Sequence, residues 1–162
     1  MTGLERVKLD GSSIQNIKNP SIEVQLVAVE NGGHNIQYIE NPTEEVQLAA
    51  VKNGGHNIQY IENPTEEVQL AAVREDGYSI KYIVTPSIEL QLLAVKYVGY
   101  NIQFIENPAE EVQLAVIGMN EYNILHIKNP SLEVQLAAVK QSIGCLEYTT
   151  PEFKELYPEY FL

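Results

Sequence analysis

Prolines stand at positions 20, 42, 64, 86, 108 and 130, a constant step of 22 residues, and each is followed at fixed distances by the same residue types. A chain with this period is a tandem array in which each unit buries its apolar face against its neighbours rather than around one central core. Four residues after each proline comes Val24, Val46, Val68, Leu90, Val112 or Val134, and the next two positions are Gln-Leu in all six copies. Residues 34–51 are identical to residues 56–73, so whole units can be added without redesign.

Each unit carries two helical signals. In the first, Asn41 is expected as N-cap, Pro42 at the first helical position, where its missing N–H costs nothing, and Glu44 and Glu45 in the positive first turn. Val46, Leu48, Ala49, Ala50 and Val51 spread around most of this helix, which predicts an inner helix sandwiched between neighbours. Asn53-Gly54-Gly55 should end it, with glycine supplying a left-handed C-cap. The second signal, residues 57–61, carries Ile58 and Ile61 at i, i+3 spacing and is stopped by Asn63-Pro64. A β-strand at Ile58-Gln59-Tyr60-Ile61 is the competing reading, but no period-2 alternation runs beyond three residues, so two helices per unit is preferred.

The expected architecture is thus an all-α, right-handed α-solenoid of 22-residue helix-turn-helix units, a single repeat domain over residues 1–162. Residues 1–13 form an N-terminal cap, with Leu4, Val7 and Lys8 in register with Leu48, Val51 and Lys52; residues 14–144 form six units. Residues 145–162 form a C-terminal cap, where Pro151 arrives one position early and Pro158 cuts the helix short. Acidic residues outnumber basic ones by 22 to 10, which disfavours direct nucleic acid binding and permits a basic protein partner. The lone cysteine, the absence of a signal-like start and the lack of a spanning apolar run point to a soluble cytoplasmic chain with no membrane association.

Ala49-Ala50-Val51-Lys52-Asn53-Gly54 followed by Ile58-Gln59-Tyr60-Ile61 resembles the short two-helix repeats of uncharacterised bacterial, bacteriophage and large-virus proteins, over nearly the whole chain. Asn-Pro-Thr-x-Glu-Val is more weakly similar to the leucine-rich repeat variant, an array of α- and 3₁₀-helices. The resemblance implies an α-solenoid used as a binding scaffold and, in a phage or viral setting, an inhibitor that binds a host or defence protein. Gly118-Met119-Asn120 departs from the Lys-Asn-Gly pattern.

Several columns of side chains recur at the repeat period. Glu23, Glu45, Glu67, Glu89, Glu111 and Glu133 sit where they stabilise helix N-termini, opposite Lys52, Arg74, Lys96 and Lys140 near the C-termini. The invariant Gln25, Gln47, Gln69, Gln91, Gln113 and Gln135 suit a hydrogen-bonded ladder that fixes register; the other reading is a row of amides gripping a peptide backbone. A less regular row, Gln15, Gln37, Gln59 and Gln103, is broken by Lys81 and Leu125, as suits a solvated surface. Aromatic columns run through Ser12, His34, His56, Tyr78, Tyr100 and Tyr122, and through Asn16, Tyr38, Tyr60, Tyr82, Phe104 and His126. In the first column the identity changes while the core does not, which favours recognition.

The expected partner surface combines His34, His56, Tyr78, Tyr100 and Tyr122 with Glu106, Glu110 and Glu111. No metal or cofactor site is expected: two histidines on adjacent units lack further donors, Cys145 has no histidine–acid motif to activate it, and the glycines form no phosphate-cradling loop. The expected function is a non-catalytic protein-binding scaffold. A small-molecule, nucleotide-like sequestering protein and a structural spacer are the alternatives, and the sequence leaves the oligomeric state open.

Overall fold

The computed structural model describes all 162 residues, and every regular element is helical. The chain forms two compact units, Met1–Val84 and Thr85–Leu162. The first contains α1 (Gly3–Leu9), α2 (Ile22–Asn31), α3 (Glu44–Asn53) and α4 (Glu66–Glu75), alternating with the 3₁₀-helices η1 (Gly11–Asn16), η2 (Gly33–Tyr38), η3 (Gly55–Tyr60) and η4 (Gly77–Tyr82). The second contains α5 (Ile88–Val95), α6 (Glu110–Met119), α7 (Leu132–Gln141) and α8 (Pro151–Leu156), alternating with η5 (Gly99–Phe104), η6 (Glu121–His126), η7 (Ile143–Tyr148) and η8 (Pro158–Phe161). From α1 to α4 and from α5 to α7 successive α-helices pack side by side, η1 to η4 and η5 to η7 do the same, and the two layers face each other; α8 packs on η8. The protein is an all-α helical-repeat solenoid, and no helix is long and apolar enough to cross a membrane.

The second helix of each repeat is 3₁₀ rather than α, and its apolar residues explain why. Gly33, Ile36 and Ile39 are buried, as are Gly55, Ile58 and Ile61. A strict step of three places residues on one face only when the helix has 3.0 residues per turn. Each of these helices ends with the N–H of the following isoleucine donating to the carbonyl three residues back, as from Ile39 to Ile36 at 3.0 Å.

The expected α-helix start is displaced by two residues. Asn41 is not the N-cap; it has φ 48°, as do Asn19 (48°), Asn63 (50°) and Asn129 (68°) within the left-handed region. Proline bars the preceding residue from the right-handed α region, and asparagine tolerates the left-handed one. The N-caps are Ser21, Thr43, Thr65, Ser87, Ala109 and Ser131. Most supply a hydroxyl, as Thr65 does in accepting from the N–H of Val68 at 3.4 Å. Glu44 and Glu45 do lie in the first turn of α3.

Gly54 is the C-cap of α3 as expected, but not in the left-handed conformation: at φ 169° it is simply extended, and no glycine lies in the left-handed region. The glycine that the fold requires is the next one. A Cβ on Gly33 would meet the Ala50 carbonyl and the Asn57 side chain under 3.0 Å, and one on Gly55 would meet the Ala72 carbonyl as closely. Asn57 in turn donates from Nδ2 to the Ala50 carbonyl at 3.0 Å, as Asn35 does to Ala28 (2.9 Å) and Asn101 to Ala94 (2.9 Å). These side chains are buried, so losing the bond would leave a carbonyl unsatisfied at a cost of about 1–3 kcal/mol.

The α-helices lie between neighbours within their layer, as α3 does between α2 and α4, but one face stays open. Val46, Ala50 and Val51 are buried against the 3₁₀ layer, while Leu48 and Ala49 are half-buried and Glu45 and Lys52 exposed. The residues line up as an inner and an outer face because there are two layers, not three.

The invariant glutamines have a structural role different in form from a glutamine-to-glutamine ladder. Each Nε2 donates to the carbonyl of the proline five residues earlier at 2.9–3.0 Å, from Gln25–Pro20 through Gln135–Pro130. Gln91 and Gln135 also reach the next repeat, where Oε1 accepts from the N–H of Ala109 at 3.0 Å and of Thr150 at 2.8 Å.

The first α-helix carries a complete capping box between Thr2 and Glu5, and Val7 is fully buried. At the other end Phe153 is fully buried and stacks at 4.7 Å on Tyr157.

Two glycine substitutions separate close approach from chain flexibility. Gly33→Ala should lower the unfolding free energy by about 1–3 kcal/mol in a urea titration, as the Cβ has no room. Gly118→Ala, inside α6 with nothing within 4 Å of its Cβ, should raise it by about 0.5–1 kcal/mol.

Candidate binding surface

The 3₁₀ period that buries Gly33 and Ile36 turns His34 outward. His34 and His56 occupy the second position of η2 and η3, and both are exposed. Tyr78 holds that position on η4, Tyr100 on η5 and Tyr122 on η6, with exposures of 39%, 49% and 42%, high for a large ring. In the first unit the column therefore runs Ser12, His34, His56, Tyr78 across four adjacent helices.

The irregular glutamine row serves these helices locally. Gln37 donates to the His34 carbonyl at 2.9 Å and Gln59 to the His56 carbonyl at 3.0 Å, satisfying 3₁₀ carbonyls near the surface. Lys81 takes the same position on η4. Its Nζ donates to the Tyr78 hydroxyl at 2.8 Å and lies 4.0 Å from the Tyr78 ring centre and 4.7 Å from that of Tyr82. The hydrogen bond to Tyr78 raises the Lys81 pKa above its ordinary value. In the second unit Tyr100 packs at 6.1 Å on His126, and the Tyr122 hydroxyl lies 3.2 Å from Ser142 Oγ.

The other aromatic column stands at the far end of the 3₁₀-helices. Tyr38 and Tyr60 are exposed there, while Tyr82, Phe104 and His126 are half-buried. Two grooves of the first unit open beside it. One, of about 500 Å³, is lined by Gln37, Glu40, Pro42, Gln47, Tyr60 and Glu62. The other, of about 590 Å³, repeats it one unit earlier with Gln15, Lys18, Pro20, Gln25, Tyr38 and Glu40. Carboxylates and an aromatic ring suit such a groove to a cationic side chain.

Glu106, Glu110 and Glu111 do not join Tyr100 and Tyr122. Glu106 follows the C-terminal end of η5, whereas Tyr100 is at its start; Glu110 and Glu111 open α6, whereas Tyr122 follows its end. A ten-residue α-helix is about 15 Å long. The tyrosines and the carboxylates therefore lie on opposite edges of the repeat, and the acidic edge is the one shared with grooves of the type bounded by Glu40 and Glu62.

Cys145 is fully buried, with Sγ 3.7 Å from the Glu121 carbonyl oxygen. Burial, then the negative charges of Glu121 and Glu147, push its thiol above the ordinary range. It occupies the repeat position of Asn57 and Asn123, and Glu121 that of Gly33 and Gly99. Where glycine gives way to a residue with a Cβ, the facing asparagine gives way to the smaller cysteine. No group of three or more His, Cys, Asp or Glu side chains gathers in a metal-binding arrangement.

The buried asparagines were not singled out from sequence as important. Their signal was nevertheless present, since Asn35, Asn57, Asn101 and Asn123 recur two positions after the glycine column or its equivalent. Comparison with known proteins finds no matching family model, curated protein or solved structure. The fold alone defines the class: a helical-repeat protein of alternating α- and 3₁₀-helices.

Alkaline titration tests the electrostatics. Cys145, Tyr148 (through its hydrogen bond to Glu147) and Lys81 all have raised pKa values. Each favours its protonated form in the folded state, so its contribution is complete below its ordinary value of 9.0, 10.0 or 10.5 and is lost as pH rises through the folded value. The urea midpoint should fall as pH rises above 9.0, and Cys145→Val should remove the earliest part of that fall.

Proposed function

We propose that the chain is a non-catalytic protein-binding scaffold whose partner presents a basic surface. The observation that carries this reading is the contrast within each 3₁₀-helix: the buried isoleucine and the amide or hydroxyl beneath it hardly change, while the exposed neighbour passes from Ser12 through His34 and His56 to Tyr78, Tyr100 and Tyr122. Stability requires the first set and leaves the second free to follow a partner. Tyrosine suits that task because it offers a broad ring and a polar tip with few rotors to order.

Charge supports the nature of the partner. The formal net charge is −12, and the grooves beside Tyr38 and Tyr60 are bounded by Glu40 and Glu62. An inhibitor that covers a functional surface of a basic protein is the form of this reading that needs no chemistry from the chain itself. We place its action in the cytoplasm, where a single thiol stays reduced.

The two edges give the test. With the purified chain as bait in lysate of its native host, a partner bound by the aromatic edge should be retained at least about tenfold less by Tyr100→Ala with Tyr122→Ala, a loss of ~1.4 kcal/mol or more. Glu106→Gln with Glu110→Gln and Glu111→Gln should reduce retention in a salt-dependent way. Unchanged capture by both variants, or turnover by the purified chain in a substrate screen, would overturn the proposal.

A further inference from the structure

We infer that the outer face of the α-helical layer binds a second copy of this chain, antiparallel to the first. In the first unit this face carries three rows that cross α2, α3 and α4. Leu26, Leu48 and Leu70 run along its middle, half-buried, with Ala49 and Ala71 beside them. Glu23, Glu45 and Glu67 form an exposed row at the helix starts. Lys8, Lys52 and Arg74 form an exposed row at the helix ends, interrupted by Glu30.

Helix stability explains the two charged rows, since each complements the helix dipole. It does not explain the leucines. The leucine is the same in all six copies, and Leu26 and Leu48 pack on the core with one side while leaving the other open, whereas the neighbouring position varies as Val27, Ala49, Ala71, Leu93, Ala115 and Ala137. Between α2 and α3 the row opens into a groove of about 730 Å³, floored by Leu26, Leu48 and Ala49, with Glu44 and Glu45 on one rim and Glu30 and Lys52 on the other. Along α3 and α4 the apolar row has acid on one side and base on the other, an arrangement that is self-complementary. Rotating a second copy by a half turn about an axis that lies in the plane of the face and runs across its helices turns the two faces together and reverses the helices, so its Lys52 and Arg74 row meets the Glu45 and Glu67 row at both edges. A one-signed basic partner would meet the Lys52 and Arg74 rim, and an acidic one the glutamates; a second copy in this orientation meets neither conflict.

Three ten-residue helices about 15 Å long and ~8–10 Å apart offer roughly 400 Å² in the first unit. That is below the ~800 Å² per partner of a standard stable interface. The same rows recur in the second unit, with Glu89, Glu111 and Glu133, Leu92, Leu114 and Leu136, and Lys96 and Lys140, so each unit carries a weak interface of its own. The inference does not depend on the aromatic edge, and the Tyr100 and Tyr122 variants should self-associate like the parent.

Sedimentation equilibrium of the intact chain between about 1 μM and 1 mM should show a reversible monomer–dimer equilibrium. Lys52→Glu with Arg74→Glu makes both rims acidic, and Glu45→Lys with Glu67→Lys cancels the charge of the acidic rim, where Glu44 and Glu66 remain. All four residues are exposed, so circular dichroism and urea midpoints should show a folded chain in both cases. Each variant alone should dimerise at least about tenfold more weakly, and an equimolar mixture should recover a mixed dimer. Leu48→Gln should weaken the parent dimer independently of salt. A parent that stays monomeric throughout, variants that dimerise like the parent, or a mixture that stays monomeric would overturn the inference, as would capture of a different protein by this face without self-association.

Discussion

The fold depends on how closely consecutive repeats approach at one point. At Gly33 and Gly55 the backbone of one repeat lies so near the next that a single Cβ would strike an alanine carbonyl and a neighbouring polar side chain. The asparagine wedged there ties the start of its 3₁₀-helix to a carbonyl of its own α-helix, as Asn57 does to Ala50. One residue type makes the approach sterically allowed, and another satisfies the alanine carbonyl beside it. The pair recurs at 22-residue steps, as Gly11 with Asn35 and Gly33 with Asn57, while Ser79 takes the asparagine's place opposite Gly55.

Around this contact the polar groups of the linkers are arranged with little to spare. Proline supplies a carbonyl that no helix hydrogen bond uses, and the invariant glutamine takes it. The left-handed asparagine before the proline reverses the chain in so few residues that the hydroxyl two positions later can cap the next helix. Repeat units of such economy leave most of their outward side chains free of structural duty. That freedom is what allows one edge to vary from histidine to tyrosine and the opposite edge to concentrate carboxylates.

The departures from the pattern obey the same physics. In the second unit Glu121 stands where a glycine otherwise would, and the facing residue shrinks from asparagine to Cys145. The exchange trades the asparagine's hydrogen bond for a long one from Cys145 Sγ to the Glu121 carbonyl. It also buries the chain's one thiol beside two carboxylates, which holds it protonated and unreactive.

The repeat length, the all-helical class, the position of first-turn glutamates and the burial of Val46, Ala50 and Val51 were legible in the residues, because they follow from period and patterning alone. The 3₁₀ character of the second helix was legible in principle, in the strict step of three from Gly55 to Ile58 to Ile61. What the sequence could not decide was which glycine mattered and why, since Gly54 and Gly55 are adjacent and only packing shows that the second has no room for a Cβ. Nor could it separate Glu110 and Glu111 from Tyr100 and Tyr122, which stand about ten residues from them along the chain but at the other edge of the repeat. Local chemistry is written in the sequence; which surfaces coincide and which face of a helix stays open depends on how far the backbone travels between them.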